Sequence, residues 1–293
     1  MITLNQSLEA IFSRSNFVRS TNVGVGHSFE VWNGVYLTTD LTYADKRSIE
    51  NLKLERWSSE LFGELNTPTT FERYISLIMD VEVLFQFQQK YITRGRKKIV
   101  LGTNYPVLRV LYRKGIPKIG LSEVNFDQIE INAYHKMPPT KLGTTNWNAK
   151  AGSFINSKNL RLLEYRFFRG SDIYVFSDPL NNLQLLGPTL STLNPYLFGS
   201  IIHHFDGVIM DKIPLLNKLQ LETIVGGAAL LVPDQSFEHI EAFVGIGKKF
   251  RLLGEQFQLA IYAVSANNDI DKFNVRYKVG LNFFDALSGR WIY

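Results

Sequence analysis

The chain of 293 residues has no cysteine, which removes disulfides and thiolate metal sites and suits an oxidising envelope compartment. No apolar run approaches the roughly 18 residues that a membrane-spanning helix requires, although a β-barrel, which turns only every second residue to lipid, escapes that test. The opening Met1-Ile2-Thr3-Leu4-Asn5-Gln6 lacks a basic stretch followed by an apolar one. An exported protein needs such a leader, so further sequence is expected upstream. Nucleotide and nucleophile motifs are missing too. There is no G-x-S-x-G elbow and no P-loop, and Gly24-Val25-Gly26 and Gly245-Ile246-Gly247 lie in alternating stretches with no helix after them. His27, His135 and His239 show no ligand spacing. His203 and His204 are neighbours that leave a strand on opposite faces and so do not share an ion. The net charge of +5 is spread singly rather than gathered on one stripe, which speaks against a nucleic-acid partner. The one dense basic run, Arg94-Gly95-Arg96-Lys97-Lys98, reads as a solvated turn.

What the chain has in abundance is alternation. From Phe273 to Phe283, Phe273, Val275, Tyr277, Val279, Leu281 and Phe283 fall on one side of a strand. Asn274, Arg276, Lys278, Gly280 and Asn282 fall on the other. A stretch of about ten residues is what a tilted strand needs to cross a hydrocarbon layer. The same period runs through Val23, Val25, Phe29 and Val31, then Asn33-Gly34, which favours a tight hairpin turn. It continues through Val35, Leu37, Thr39, Leu41 and Tyr43, and through Ile75, Leu77, Met79, Val81, Val83, Phe85 and Phe87. Further strands are expected at 105–114, 126–136, 145–155, 196–206, 218–230, 239–247 and 257–265, with a turn region at 89–104 and a short helix over 4–14. The sum is an all-β fold of about eleven or twelve antiparallel strands, a transmembrane outer-membrane β-barrel with its polar side chains in the lumen. Residues 1–293 form one domain, part of a larger barrel, with long outer loops at 45–74 and 156–195.

Asp80 and Glu82 share the inward face two residues apart, a spacing compatible with paired-carboxylate catalysis. Arg109 and Arg113 on the expected neighbouring strand favour structural charge pairs within the lumen instead. Trp32, Tyr43, Phe87, Tyr91, Tyr105, Tyr112, Tyr196 and Phe283 fall near strand ends, as girdle aromatics do. The loop 156–195 is rich in aromatics, including Tyr165, Tyr174 and Phe176, and its Phe167-Phe168-Arg169-Gly170 stretch is a candidate plug or partner-facing element. Ile213-Pro214-Leu215-Leu216 reads as an apolar turn at a membrane interface.

Several runs together resemble one family. They are Gly102-Thr103-Asn104-Tyr105-Pro106-Val107, His203-His204-Phe205-Asp206-Gly207, Lys212-Ile213-Pro214-Leu215-Leu216, Ile240 to Ile246, and the Asn33-Gly34 hairpin with Tyr43-Ala44-Asp45-Lys46-Arg47. The family is one of Bacteroidota outer-membrane proteins, a domain of unknown function. Its longer members carry an N-terminal carboxypeptidase-regulatory-like β-sandwich. The similarity runs from about residue 8 to the end. It implies the C-terminal barrel portion of a longer protein and supplies no catalytic, cofactor or metal residues. Arg169-Gly170 also resembles the Arg-Gly loop of the outer-membrane assembly-factor superfamily. The expected role is non-enzymatic, in transport, envelope assembly or surface anchoring. The expected partners are outer-membrane lipid or lipopolysaccharide and envelope proteins. The rival readings are a soluble β-barrel carrier of a small ligand, with apolar residues inside, and an outer-membrane barrel enzyme.

Overall fold

A computed structural model describes residues 18–48, 71–171, 174–186, 190–214, 216–252, 255–268, 274–285 and 290–292. The helix expected over 4–14, most of the 45–74 loop, Phe273 and Leu215 lie outside them. The strands are β1 (Val18–Trp32), β2 (Val35–Ser48), β3 (Tyr74–Gln86), β4 (Lys90–Arg94), β5 (Lys97–Gly102) and β6 (Val107–Gly115). They continue as β7 (Asn125–Lys136), β8 (Thr144–Asn159), β9 (Arg166–Phe167), β10 (Ser191–Thr192) and β11 (Tyr196–His204). The last are β12 (Leu221–Val232), β13 (Phe237–Leu252), β14 (Glu255–Asn268), β15 (Asn274–Asp285) and β16 (Arg290–Ile292). Twelve of them form a single sheet in the order β1-β2-β3-β6-β7-β8-β11-β12-β13-β14-β15-β16. Every main pairing is antiparallel, so the chain is an up-and-down meander. Among the described residues no ladder joins β1 to β16.

Register makes the two faces explicit, because residues directly opposite in an antiparallel pair share a face. One face carries Val25 and Leu41, then Met79, Val81 and Val83, then Val110, Ile129 and Ile131. It goes on through Ala151, Leu197, Leu231, Val244, Ile246, Ile261 and Val279. This face is bare: Val25 is 70% exposed, Ile201 49%, Ile261 61% and Tyr277 73%. The opposite face carries Asp80, Arg113 and Gln128, then Glu130, His239, Glu241, Gln258, Lys278 and Asn282, and there the side chains from Gln128 onward are buried. A water-soluble protein sheds apolar surface, and contiguous bare patches rarely exceed a few hundred Å². Here greasy side chains stay exposed while the polar ones from β7 onward are covered.

The cover is the chain between β8 and β11. It packs on the polar face, and there it builds apolar clusters that pure alternation does not foretell. Phe168, Leu183 and Leu186 meet Tyr196, Phe198, Leu230 and Val232. Phe176 meets Ile202, Ile224, Phe243 and Tyr262. A third cluster joins Tyr74, Val124 and Phe126 near Phe154 and Leu163. The expectation of a uniformly polar, wetted face is therefore corrected: it is a mixed face, packed wherever the loop crosses it. Tyr196 is likewise not a rim aromatic but is 2% exposed beneath Phe168.

Two further departures are local. Residues 89–104, expected as a turn region, hold the β4–β5 hairpin, closed by Gly95 at φ 62° and Arg96. The loop expected from residue 45 begins later, since β2 runs on to Ser48. Successive antiparallel strands place the end of β2, the start of β3, the end of β8 and the start of β11 at one end of the sheet. The tight 33–34 turn and the β4–β5 hairpin lie at the other.

Candidate functional site

The candidate site is the polar face under the 160–195 segment, and its chemistry begins with the inward positions of neighbouring strands. Asp80 on β3 stands directly opposite Arg113 on β6. The guanidinium donates from Nε (2.7 Å) and Nη2 (3.0 Å) to the two carboxylate oxygens, a bidentate pair. Glu82 and Arg109 are diagonal neighbours, 2.5 Å apart. The structure thus brings together all four residues singled out on these strands, as two ion pairs.

One strand further on, Glu130 of β7 is buried and receives Arg166 Nη2 at 2.9 Å and the Tyr196 hydroxyl. Arg166 also lies 5.4 Å above the Tyr196 ring and 5.8 Å above that of Phe168. Glu130 therefore ties the start of the covering segment to the sheet. Of the candidate plug residues, Phe168 enters the apolar cluster and the Arg169 carbonyl accepts the Leu183 N–H (2.9 Å). Gly170 bridges Leu183 in parallel, and Phe167 pairs with Ser191 while its side chain stays exposed.

Three more fastenings follow along the segment. The Leu180 carbonyl accepts from Asn148 Nδ2 (2.8 Å) and Ser200 Oγ (2.9 Å), and Asn181 Oδ1 accepts from Lys150 Nζ (2.7 Å). The buried Glu241 carboxylate of β13 accepts the backbone N–H groups of Gln184 (2.6 Å) and Leu185 (3.0 Å), with His239 Nε2 3.2 Å away. Phe176 stacks on Tyr262 at 3.6 Å and 8°. Its neighbours extend the sheet itself: Phe176 N–H donates to Val279 O (2.9 Å), and Val279 N–H donates to Tyr174 O (2.8 Å). That parallel bridge occupies the β15 edge beyond the short β16.

At the tight-turn end, Lys249 Nζ lies 2.6 Å from Asp206 and 2.7 Å from the buried Glu222, which His204 approaches to 3.7 Å. His203 points to the other face, where Nδ1 meets Thr145 Oγ1 (2.8 Å) and the ring packs on Phe205. The two histidines are thus on opposite sides of β11. Among the described residues no group of three His, Cys, Asp or Glu side chains is arranged to hold a metal. Glu130 and Glu241 occupy inward positions of the alternation, and that much was readable. Their loop partners carried no periodic signal, so their importance was missed.

The class these observations define is an all-β protein built on one long-stranded antiparallel meander, apolar on its bare face and loop-packed on its polar face. The chain belongs to the family of unknown function DUF5686, whose C-terminal domain it matches over residues 2–246. No curated protein matches it.

Proposed function

We propose that this chain forms the wall of an outer-membrane β-barrel, with the covered polar face as its lumen and the 160–195 segment as a plug. The observation that carries the reading is the inversion of polarity: apolar side chains such as Val244, Ile261 and Tyr277 are bare while Glu130, Glu241 and Lys278 are buried. Lipid is the solvent in which that arrangement is favourable. The partners on the bare face are then outer-membrane lipid or lipopolysaccharide. Strands such as β1, β8 and β13, of 15, 16 and 16 residues, are longer than a hydrocarbon layer requires and leave rims for headgroup contact.

The role is non-enzymatic. Asp80 and Glu82 are each held by an arginine, which favours a structural use of these carboxylates. Of transport, envelope assembly and surface anchoring, the plug favours transport. An anchor needs only the bare face, whereas a folded segment fastened over the polar face by separable contacts is what a closable passage needs. A soluble ligand carrier would turn these apolar faces inward. The test is partitioning of the chain between detergent and aqueous phases, together with its gel migration before and after boiling. Detergent partitioning and a compact, heat-sensitive form are expected. Retention in the aqueous phase with migration unaltered by heat would refute the wall reading.

A further inference from the structure

The β4–β5 hairpin is not accounted for by a barrel wall. Residues 90–101 are all exposed. Between residues 90 and 102 stand Lys90, Arg94, Arg96, Lys97 and Lys98, with no Asp or Glu. The pairing Ile92↔Ile99 and Arg94↔Lys97 places these four on one face, and Leu101, the extra residue at the register shift that follows, is 61% exposed. Toward the sheet that face is aliphatic, and at the tip, with Arg96 in the turn, it is cationic. On the other face Tyr91 and Val100 are exposed as well, but its one cation is engaged: Lys98 Nζ lies 4.5 Å above the Tyr91 ring and bonds Glu30 (2.5 Å) and Asn33 (2.8 Å).

The hairpin is also mounted rather than loose. Gln89 is buried beneath it and is a hub. Its carbonyl accepts from Asn33 Nδ2 (3.1 Å), its Oε1 from Tyr36 (2.8 Å), and its Nε2 donates to Glu30 (3.0 Å) and Asn33 (3.1 Å). Gly34 lets the two turns meet: a Cβ there would lie 2.2 Å from Gln86 O, whose N–H donates to Gly34 O at 2.6 Å. At the hairpin's foot Trp32 and Phe87 are bare at the ends of outward rows of the sheet, and Tyr105 beside them is exposed as well.

We propose that this hairpin is a headgroup clamp. Ile92, Ile99 and Leu101 enter the interfacial layer, and Arg94, Arg96 and Lys97 bind the phosphates of anionic lipid. This rests on the membrane-wall reading and deepens it. Charge selects an anionic partner, and the aliphatic side chains beside the cations, continuous with the bare face, select a bilayer over nucleic acid or an acidic protein. The absence of cysteine makes single-site labelling clean. Ile99→Cys and, separately, Ile261→Cys on β14 are labelled with an environment-sensitive fluorophore. Each is reconstituted in vesicles of phosphatidylcholine alone or with phosphatidylglycerol, both carrying a lipid-borne quencher.

The clamp predicts quenching at Ile99 that is strong with phosphatidylglycerol and weak without it. The change R94Q/R96Q/K97Q should lower it, by roughly fivefold in docking equilibrium per cation removed. Boiling-sensitive migration of that variant confirms that it still folds. Quenching at Ile261 without quenching at Ile99 overturns the clamp and leaves the wall intact. Quenching at neither site overturns the wall reading and the clamp with it. Equal quenching in both lipids, or a response of the Ile99 label to an oligonucleotide or polyglutamate but not to vesicles, also overturns the clamp.

Discussion

Glu241 illustrates how one carboxylate holds a loop that has no regular structure of its own. Its two oxygens accept the Gln184 and Leu185 N–H groups in a site where the side chain is 2% exposed. Glu241→Ala leaves the buried Gln184 N–H and the part-buried Leu185 N–H without acceptors, at a cost of about 1–3 kcal/mol for the first and less for the second. Amide exchange across residues 180–186 should therefore accelerate by one to several orders of magnitude, while β13–β14 amides stay protected. Arg113→Ala makes the contrast. Its pair with Asp80 is partly exposed, with side-chain exposures of 39% and 26%, so the expected loss is about 1 kcal/mol or less. Equal effects of the two changes would contradict this ranking. The two sites differ in legibility for a physical reason. Asp80, Glu82, Arg109 and Arg113 sit on strands whose period of two fixes their face, so their meeting was readable from spacing alone. Glu241 meets a partner 57 positions away in irregular chain, and no local pattern encodes that contact.

At the scale of elements, the decisive contact is the edge of β15. Below its short pairing with β16, the strand presents Val279 to Tyr174 and Phe176 rather than to another strand. The Val279 N–H points to that loop and not to β14, so Val279→Pro should detach the segment while sparing the β14–β15 ladder, as proline is tolerated on strand edges. Limited proteolysis should then cut within 160–195, with the heat-sensitive compact form retained. Phe176→Ala should act alike by another route. It removes the stack on Tyr262 and the edge contact with Phe243 at 5.0 Å, worth about 3–5 kcal/mol for a buried phenylalanine. If either variant leaves the segment as resistant as the parent, the plug is not held where the structure places it. The long strands were legible because a half-apolar period of two persists through them. The β4–β5 hairpin reads as a turn in the sequence because its apolar residues come as consecutive runs, Tyr91-Ile92 and Ile99 to Leu101, around the cationic run Arg94 to Lys98, and show no period of two. β16 and the β9–β10 pair are too short to show a period at all. Strand ends drifted for a related reason: β13 runs on through Lys248, Lys249 and Arg251, where Lys248 interrupts the apolar face before it resumes at Phe250 and Leu252.

For the whole molecule the question is which solvent the bare face meets, and a single charge decides it. Ile261 lies mid-strand on β14, 61% exposed, with Ile246 and Val279 directly across from it on the two neighbouring strands. In water, a lysine at so exposed a position costs almost nothing and reduces self-association. At the midplane of a bilayer the same lysine costs about 2–4 kcal/mol, because its ammonium must be dehydrated or drag water inward. Ile261→Lys should therefore lower the fraction of chain that reaches the compact form in lipid vesicles and leave its yield from detergent-free buffer no better. Glu238→Lys on the same face of β13, at its far end, should do neither, since a rim position already lies among headgroups. The sign of the Ile261 effect carries the argument. A wall whose apolar side faces lipid must be harmed by the charge, whereas a sheet that shows the same side to water must be helped by it. Loop contacts on the opposite face are identical in both cases, so the measurement isolates the surroundings of the bare face from the fastening of the plug.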